Sequence, residues 1–378
     1  MNKFYLFCLI ILLFCACSNK HKKADVVAVG QSATIPILYA KGFTLSSNEN
    51  YVCVKVFNPL DKNKLCQEYY LVKDSFSMSK TPNLQHTFLV PLQTLALTSC
   101  THIPFLDILG QLEAIKIICS PNLVFNQTIR DKYANGDILS AGDAFNLNIE
   151  ILLKNKPSAV MLTGYSVRDE NAEMLERYGL KVLLNNEWME DTPLGRAEWI
   201  KFFAAFFDCM PLADSLFNII ETNYLETKKY AQTYLDKPII MPGGNYRGTW
   251  YVPGGQTYMA HLFEDAGAEY YYATDSSTGS LPLNFEKVLE VFDNADIWLN
   301  APTTTKKELY AIDERHALFK AFKNGEIYAF KKRLNKDGAN DFWENAVVEP
   351  NIILRDMIWA IHKEEREKYD PKYLIKVK

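Results

Sequence analysis

The stretch from 243 to 255, GGNYRGTWYVPGG, sets one arginine, two tyrosines and a tryptophan among five glycines. A guanidinium offers paired donors to an anionic oxygen, and aromatic faces suit a large, flat ligand. The stretch contains no Gly-x-Gly-x-x-Gly, which excludes a phosphate cradle of that type. Its glycines instead let the chain turn sharply after the strand-like run KPIIM. We therefore predict ligand contacts from Tyr246, Arg247 and Trp250.

Further ligand-contact candidates follow other strand-like runs. In open α/β sheets, ligands bind beyond the carboxyl ends of the strands. The residues at such ends are Thr101 and His102 after TLALTSC, Tyr165 after AVMLTG, Trp188 after KVLLNNE, and Trp343 in a loop after EIYAF. Packing inside the fold is the alternative role for the two tryptophans. Arg196 is expected to pair locally with an acid, with a place at the border of the site as its alternative.

The histidines argue against a site for a bare metal ion. Zinc or manganese sites need several histidines and carboxylates that converge on one ion. The six histidines form no His-x-His or His-Glu-x-x-His pair, so we predict neither a metal site nor a cofactor. Contact of His102 with the metal of a bound ligand stays open beside a plain polar role.

Catalytic signatures are missing from the sequence as well. It has no Gly-x-Ser-x-Gly elbow and no Gly-Lys-Ser/Thr phosphate loop. The acids Glu187, Glu190 and Asp191 precede an aromatic-rich helix, where capping and solvated acids are common. We predict that the protein is not an enzyme, and an envelope enzyme is kept as an alternative.

The elements that must position these residues alternate between short apolar runs and helical patterns. This rhythm predicts an α/β fold with mostly parallel sheets. A chain of 378 residues with 48% hydrophobic content suggests about two domains, and a net charge of -4 gives no basic excess for nucleic acid. The candidate strands are TLALTS, AIKIIC, AVML, KVLL, KPIIM, EYYYA, DIWLN and EIYAF.

Between the halves lies a long helical pattern. Pro211 suits the first turn of a helix that continues to about Tyr234, before Pro238 stops it. We predict a first lobe at 24–195, connecting helices at 196–237 and a second lobe at 238–378. Within the first lobe, residues 33–75 form an additional β-rich segment.

An internal repeat links the two halves. The pattern Leu-Asn-apolar-Glu begins at Leu147 and again at Leu283, and in each copy an alanine nine positions after the glutamate starts a strand-like run. Each copy is typical of an asparagine cap, a short helix, a turn and a buried strand. The chain is therefore predicted to contain two related lobes.

With this repeat, the chain resembles the substrate-binding proteins of ABC importers, in the helical-backbone class that carries ferric siderophores, haem or cobalamin. The resemblance covers about residues 90 to 362 and includes NEWMEDTPLGRAEWIKFF, GTWYVPGGQTYMAHLFEDAGAEYYY and DFWENAVVEPNIILRDMIWA. It implies two Rossmann-like lobes joined by a single long helix, with the ligand cleft between them. The β-rich segment at 33–75 departs from the small cobalamin-binding members.

The resemblance also implies a function and partners. A ferric siderophore would be captured and delivered to an ABC permease dimer with its ATPase, with cobalamin or haem as alternative ligands. Glu150 and Glu286, the acids of the two repeats, match the residues with which this family docks onto permease arginines. A first-turn acid is also favoured by the helix dipole alone. A ligand-capture lipoprotein without a permease is a further alternative.

The N-terminus predicts a position in the cell envelope. Residues 1–17 carry a lysine, an apolar run and a cysteine pair, as expected for a signal peptide. Ala16 and Cys17 resemble a lipoprotein cleavage site, which predicts a lipid on Cys17 and a periplasmic protein anchored to a membrane. An uncleaved anchor is the alternative. Farther along, Cys53 and Cys66 flank a turn-like stretch and are candidates for a disulfide.

Overall fold

The described residues form two hydrophobic cores. A computed structural model of the chain describes residues 32–57, 64–164 and 170–378. One core contains buried side chains from Phe43 to Phe217, and the other contains side chains from Leu194 to Val377. We call the parts built on them the first and second lobe. Val347 and Val348 belong to the first core although they lie late in the chain.

The strands of the described residues are short. They are β1 Ala33–Ile35, β2 Phe43–Ser47, β3 Val52–Phe57, β4 Leu65–Val72, β5 Thr87–Leu89, β6 Leu95–Leu97, β7 Ile115–Ile118, β8 Leu139–Ser140, β9 Gly142–Asp143, β10 Asn146–Leu147, β11 Ala159–Thr163, β12 Val182–Asn185, β13 Ile240–Pro242, β14 Asn245–Tyr246, β15 Thr249–Pro253, β16 Ser280–Leu283, β17 Ile297–Leu299, β18 Ile327–Ala329 and β19 Ile375–Lys376.

The helices alternate with these strands. They are α1 Ser75–Met78, α2 Ile103–Ile108, α3 Gln127–Ala134, α4 Ile149–Asn155, α5 Glu170–Arg177, α6 Pro193–Ala197, α7 Ile200–Phe207, α8 Met210–Ala231, α9 Tyr258–Asp265, α10 Phe285–Phe292, α11 Lys306–Ile312, α12 Lys320–Asn324, α13 Asp341–Asn345 and α14 Pro350–Ile361. In the described part of the chain, no helix combines the length and the apolar character that crossing a bilayer requires.

A five-stranded parallel sheet in the order β12-β11-β6-β7-β8 forms the centre of the first lobe. Val160 lies opposite both Ala96 and Val182, and strands β6, β11 and β12 are buried throughout. Such continuous burial is typical of a parallel sheet covered on both faces. The strands predicted from TLALTS, AIKIIC, AVML and KVLL are confirmed.

Strands β1 to β5 form a separate sheet, antiparallel except between β4 and β5. Two buried carboxylates fasten the segment between β1 and β2 to the helices after the central sheet. Glu198 accepts hydrogen bonds from the amides of residues 38–40, and Glu190 accepts from the amides of residues 41 and 42 and from Trp199 Nε1. These bonds compensate the desolvation of both acids.

The strand register does not bring the two candidate disulfide cysteines together. Cys53 on β3 lies opposite Tyr70, whereas Cys66 lies four residues earlier on β4. The Cys53 thiol instead donates to Glu68 Oε1 at 3.2 Å. Burial is the main cause that raises the pKa of Cys53, to about 12.

The second lobe contains a sheet in the order β13-β17-β18-β19, in which only β19 runs antiparallel to its neighbour. This confirms the strands predicted from KPIIM, DIWLN and EIYAF. The strand predicted from EYYYA is wrong, because beyond one bridge at Glu269 the tyrosines enter a turn. That turn closes on Gly255, where a Cβ would lie within 2.6 Å of three carbonyl oxygens. The tyrosine rings pack around Phe292.

Helix α8 connects the lobes. It contains 22 residues, about 33 Å at about 1.5 Å per residue, and its buried side chains are Ala213, Phe217, Tyr224 and Ala231. Phe217 belongs to the first core and Tyr224 to the second. The two-lobed α/β fold is therefore confirmed, with one long helix shared by both cores.

Candidate ligand-binding site

A cavity of about 400 Å³ lies where the two lobes face each other. Its wall contains aromatic side chains, one arginine, and residues from the carboxyl ends of strands in both lobes. The lining residues are Cys100, Thr101, Trp188, Arg196, Tyr258, Met259, Asn300, Phe342, Trp343, Ala346 and Val347.

On the first-lobe side, the chain leaves β6 and forms a single 3-10 turn. The Ser99 hydroxyl accepts from the amide of Thr101, which fixes the turn and exposes Cys100 and Thr101 to the cavity. Burial raises the pKa of the Cys100 thiol to about 12, and the nearby Glu344 and Glu187 act in the same direction. The thiol is therefore a neutral part of the wall at neutral pH.

After β12, a second 3-10 turn and the short helix α6 supply Trp188 and Arg196. The Trp188 indole donates to the carbonyl oxygen of Gly164 at 3.2 Å, and the side chain remains 40% exposed. The Thr192 hydroxyl caps α6 by accepting from the amide of Gly195. The cap and the turn direct a ring and a guanidinium to one wall.

The second lobe covers that guanidinium with an aromatic ring. Thr257 caps α9, which places Tyr258 in the first helical turn. The Arg196 guanidinium carbon lies 5.4 Å from the centre of the Tyr258 ring, within cation-π range. Burial raises the pKa of Tyr258 to about 12, and Arg196 opposes that shift. The Tyr258 hydroxyl is thus neutral and able to donate a hydrogen bond.

Asn300 completes this side of the wall at the end of β17. Its φ is 59°, a left-handed conformation that is uncommon outside glycine. Asparagine tolerates this conformation better than most residues, and strained backbone often occurs at ligand sites.

Helix α13 contributes Phe342 and Trp343 and also bridges the lobes. The Phe342 ring stacks on Phe330, with centroids 4.0 Å apart, while Trp343 is 58% exposed. The next residue, Glu344, is buried and accepts from the amides of Phe125 and Asn126 at 2.6 and 2.8 Å. One short helix therefore carries part of the cavity wall and a contact that reaches the first lobe.

Three of the residues predicted from strand ends, Thr101, Trp188 and Trp343, lie in this wall. His102 lies beneath it and is fully buried, with Nε2 3.5 Å from the Thr163 hydroxyl. Burial lowers the pKa of His102 to about 3, so the imidazole stays neutral. Tyr165 lies outside the described residues, as does Cys17.

None of the three residues predicted from the glycine-rich stretch lines the cavity. Trp250 is buried in the second core, where its indole donates to the carbonyl oxygen of Pro242 at 2.8 Å. Tyr246 and Arg247 lie at the β14-β15 hairpin, outside the cavity lining, with Tyr246 62% exposed. Arg247 and Gly248 form the two-residue turn, both with positive φ.

Sequence reasoning left Tyr258, Met259, Asn300 and Phe342 out of the ligand candidates. Signals for two of them were present. Thr257 precedes a helical pattern and predicts that the following residues occupy a first turn, and Asn300 directly ends DIWLN. The two roles predicted for Arg196 are both present: its guanidinium lies 3.7 Å from Glu187 Oε1, and the residue lines the cavity.

The two repeat acids lie at matching positions of their lobes. Asn148 caps α4 and Asn284 caps α10, so that Glu150 and Glu286 occupy the first turns. Both side chains are exposed. Among the described residues, no group of three or more histidine, cysteine or acidic side chains has a geometry able to hold a metal ion.

The sequence pattern of the periplasmic binding protein family matches residues 119–334, more than half of the chain. The chain belongs to the periplasmic binding protein family. This membership confirms the prediction of a binding protein rather than an enzyme, and it indicates an extracytoplasmic location.

Relatives and solved structures agree with this family. An uncharacterized lipoprotein of Methanocaldococcus jannaschii is 25% identical over 287 residues, which cover 73% of this binding protein and 66% of the relative. The chain therefore spans slightly less than two thirds of that relative.

Three solved structures share the fold. An ABC transporter substrate-binding protein from Listeria monocytogenes has a TM-score of 0.54 at 19% identity, covering 72% of this chain and 99% of its own. A Staphylococcus aureus protein complexed with haem scores 0.54 at 18% identity, covering 71% and 98%. A vitamin B12 binding protein of Vibrio cholerae scores 0.52 at 10% identity, covering 73% and 99%. At these identities the likeness shows the fold.

Proposed function

We propose that the protein captures a metal chelate, a ferric siderophore in the first instance, and delivers it to an ABC importer. The observation that carries the proposal is the cavity between the lobes, in which aromatic side chains surround a single arginine. Aromatic walls with a few polar groups are characteristic of sites for small organic ligands, and about 400 Å³ lies within their usual range of roughly 300 to 1,000 Å³.

Arg196 takes the role that the sequence suggested for Arg247. Its guanidinium lies in the cavity wall, whereas Arg247 lies at the hairpin turn outside it. A guanidinium presents donors in a fixed plane and binds planar oxygen-bearing groups well. The oxygens of a siderophore or the carboxylates of haem are suitable acceptors.

Haem and cobalamin are the alternative ligands of the same cavity. The S. aureus neighbour was solved with haem, and the V. cholerae neighbour is described as a vitamin B12 binding protein. Trp188, Tyr258 and Trp343 offer ring faces that suit a flat macrocycle as well as a catecholate.

Delivery is proposed to use the two exposed repeat acids. Glu150 and Glu286 lie one on each lobe, and an importer with two permease subunits would meet both. A lipid on Cys17 would hold the binding protein at the membrane near that importer.

The test is a fluorescence titration of the full-length chain in detergent with a ferric catecholate, a ferric hydroxamate, haem and cyanocobalamin. Because Trp188 and Trp343 line the cavity, a bound chromophore should quench them at micromolar concentration or below. Trp343→Leu should lower the affinity for the ligand that binds by about tenfold. Stacking of a planar ring on an aromatic side chain is worth about 1 to 3 kcal/mol.

Tyr246→Leu is the matched control, because it removes an exposed aromatic ring outside the cavity lining. Its affinity should equal that of the unmodified chain. If none of the four ligands quenches at micromolar concentration, the proposed ligand class is incorrect.

A further inference from the structure

The cavity wall presents almost no net charge to a ligand. Among the described residues that line the cavity, Arg196 is the only one with a formal charge. Its guanidinium nitrogen Nη2 lies 3.7 Å from Oε1 of Glu187, a buried acid that is not part of the lining. The cation that a ligand meets is therefore already balanced by a fixed charge of the protein.

The other polar side chains that the wall offers to an oxygen-bearing ligand are neutral. They include the Thr101 hydroxyl, the Tyr258 hydroxyl and the Asn300 carboxamide. Burial raises the pKa of Tyr258 to about 12, so its hydroxyl keeps its proton at neutral pH. Such groups hydrogen-bond to ligand oxygens but do not compensate an ionic charge.

Glu187 has no hydrogen-bond donor among the described residues that would share its charge. The buried Glu198, by contrast, accepts from the amides of residues 38–40 and from Lys201 Nζ. Buried charges interact over longer distances than exposed ones, because little water screens them. The charge of Glu187 therefore opposes an anion that approaches Arg196, although the ligand does not touch the acid.

The Cys100 thiol, which lines the same cavity, responds to these charges. Burial is the largest cause that raises its pKa to about 12. Among the charged groups, Glu344 raises this pKa most, Glu187 raises it as well, and Arg196 is the smallest cause and lowers it. At this point of the wall, the two buried acids outweigh the arginine.

We propose that Glu187 is a specificity-determining residue that acts through its charge, so that the cavity prefers a metal chelate without net negative charge. A neutral ferric trihydroxamate would then bind more tightly than a triply negative ferric tricatecholate. This inference rests on the proposed function and names the class of siderophore. The hydroxamate oxygens remain acceptors for Arg196 and Tyr258, whereas burying three negative charges beside one compensated guanidinium leaves most of them without a counterion.

Derivatives of one ferric trihydroxamate test the charge without changing the chelate. A linear trihydroxamate with a terminal amine carries one positive charge as its ferric complex, its N-acetyl derivative carries none, and its N-succinyl derivative carries one negative charge. In a fluorescence titration of the full-length chain in detergent, the N-acetyl form should bind about tenfold more tightly than the N-succinyl form. Cyanocobalamin, which has no net charge, and its monocarboxylic acids form a second set that differs by one charge.

The variant Glu187→Gln provides a readout that a merely structural residue would not give. It removes the negative charge and preserves the size of the side chain. The N-succinyl form should bind about tenfold more tightly than it does to the unmodified chain, while the N-acetyl form should stay within about twofold. A structural defect would weaken both forms together. Glu150→Gln, an exposed acid outside the cavity lining, is the matched control and should leave both affinities unchanged.

The outcomes separate the two proposals. Tighter binding of the ferric tricatecholate or of haem than of every neutral chelate would overturn the inference and leave the metal-chelate function standing. An unchanged ratio of the two affinities in Glu187→Gln would also overturn it, because the preference would then come from shape. Failure of every chelate to bind would refute the proposed function itself.

Discussion

The two lobes carry the same capped helix, but its acid has different surroundings in each. Asn148 and Asn284 both accept an amide hydrogen bond from the first helical turn, and both lead to an exposed glutamate. Glu286 Oε1 accepts from Arg315 at 3.1 Å. Glu150 makes no ion pair within the described residues. Glu286 therefore has a counterion in its own chain, whereas Glu150 has none among the described residues.

The difference comes from segments outside the repeat. In the second lobe, a 3-10 helix follows α11, and its residue Arg315 is held by Asp313 on one side and lies 4.0 Å over the Phe285 ring on the other. In the first lobe, the hairpin β9-β10 precedes α4. The repeat determines where each acid lies, and the neighbouring segments determine its electrostatic environment.

The largest expected effect comes from reversing both charges. In the double variant Glu150→Arg and Glu286→Arg, uptake of the ligand by cells should fall by at least about tenfold, because like charges across a contact cost several kcal/mol. Ligand affinity should stay within about twofold, since both residues lie outside the cavity lining. Cellular uptake and fluorescence titration measure the two quantities.

The single reversals sharpen the comparison between the lobes. Glu150→Arg should reduce uptake more than Glu286→Arg, because Arg315 already offsets part of the charge of Glu286. Glu290→Arg is a control on the same helix as Glu286. Unchanged uptake in the double variant would contradict importer docking through these acids.

A second asymmetry is the contact between the lobes. Glu344 on α13, next to the cavity residue Trp343, accepts hydrogen bonds from two amides of the first lobe. Burial raises the pKa of Glu344 from its ordinary 4.5 to about 7, and Asp341 and Asp107 add to the shift, while the amides of Phe125 and Asn126 oppose it. Between pH 4.5 and about 7, Glu344 therefore keeps its proton in the folded protein, whereas the unfolded chain has released it. The free energy of unfolding that Glu344 contributes decreases as the pH rises through this range.

The prediction concerns the pH dependence of the free energy of unfolding. Between pH 5 and 7.5, the unmodified protein should lose about 2 kcal/mol relative to Glu344→Gln, which cannot titrate. Denaturant unfolding at several pH values measures the difference, with Glu150→Gln as the control for an exposed acid. Parallel pH curves for Glu344→Gln and the unmodified protein would refute the assignment.

Short sequence patterns predict the scaffold well, because helix caps and buried strands depend on residues that are close together in the chain. The asparagine caps at Asn148 and Asn284 and the buried parallel strands follow from side-chain type and spacing over a few residues. Trp250 shows where the strand-end rule is insufficient. On β15 the side chains alternate, so that Trp250 and Val252 face the core while Tyr251 faces outward.

The polar part of the cavity depends on contacts that sequence spacing does not reveal. Arg196 and Tyr258 are 62 residues apart in the sequence, so no local pattern connects them. Tyr258, from the other lobe, covers the guanidinium. Recognition of the family predicted a cleft, but the packing of the two lobes decides which side chains line it.

The smallest expected effect concerns Arg315 itself. Arg315→Gln removes the counterion of Glu286 but preserves the backbone amide of residue 315, which donates to the Asp313 carboxylate that caps the 3-10 helix. Because exposed ion pairs contribute about 0 to 1 kcal/mol, the melting temperature should change little. Uptake at low ionic strength should rise about two- to threefold, since Glu286 becomes available to a cation of the permease, and the gain should disappear near 0.5 M salt as the charges are screened.

Lys287→Gln removes a cation from the same helix that pairs with Glu290 rather than Glu286, so it serves as the matched control. A fall in uptake for Arg315→Gln would mean that Arg315 itself contacts the permease, and the two lobes would then dock through opposite charges.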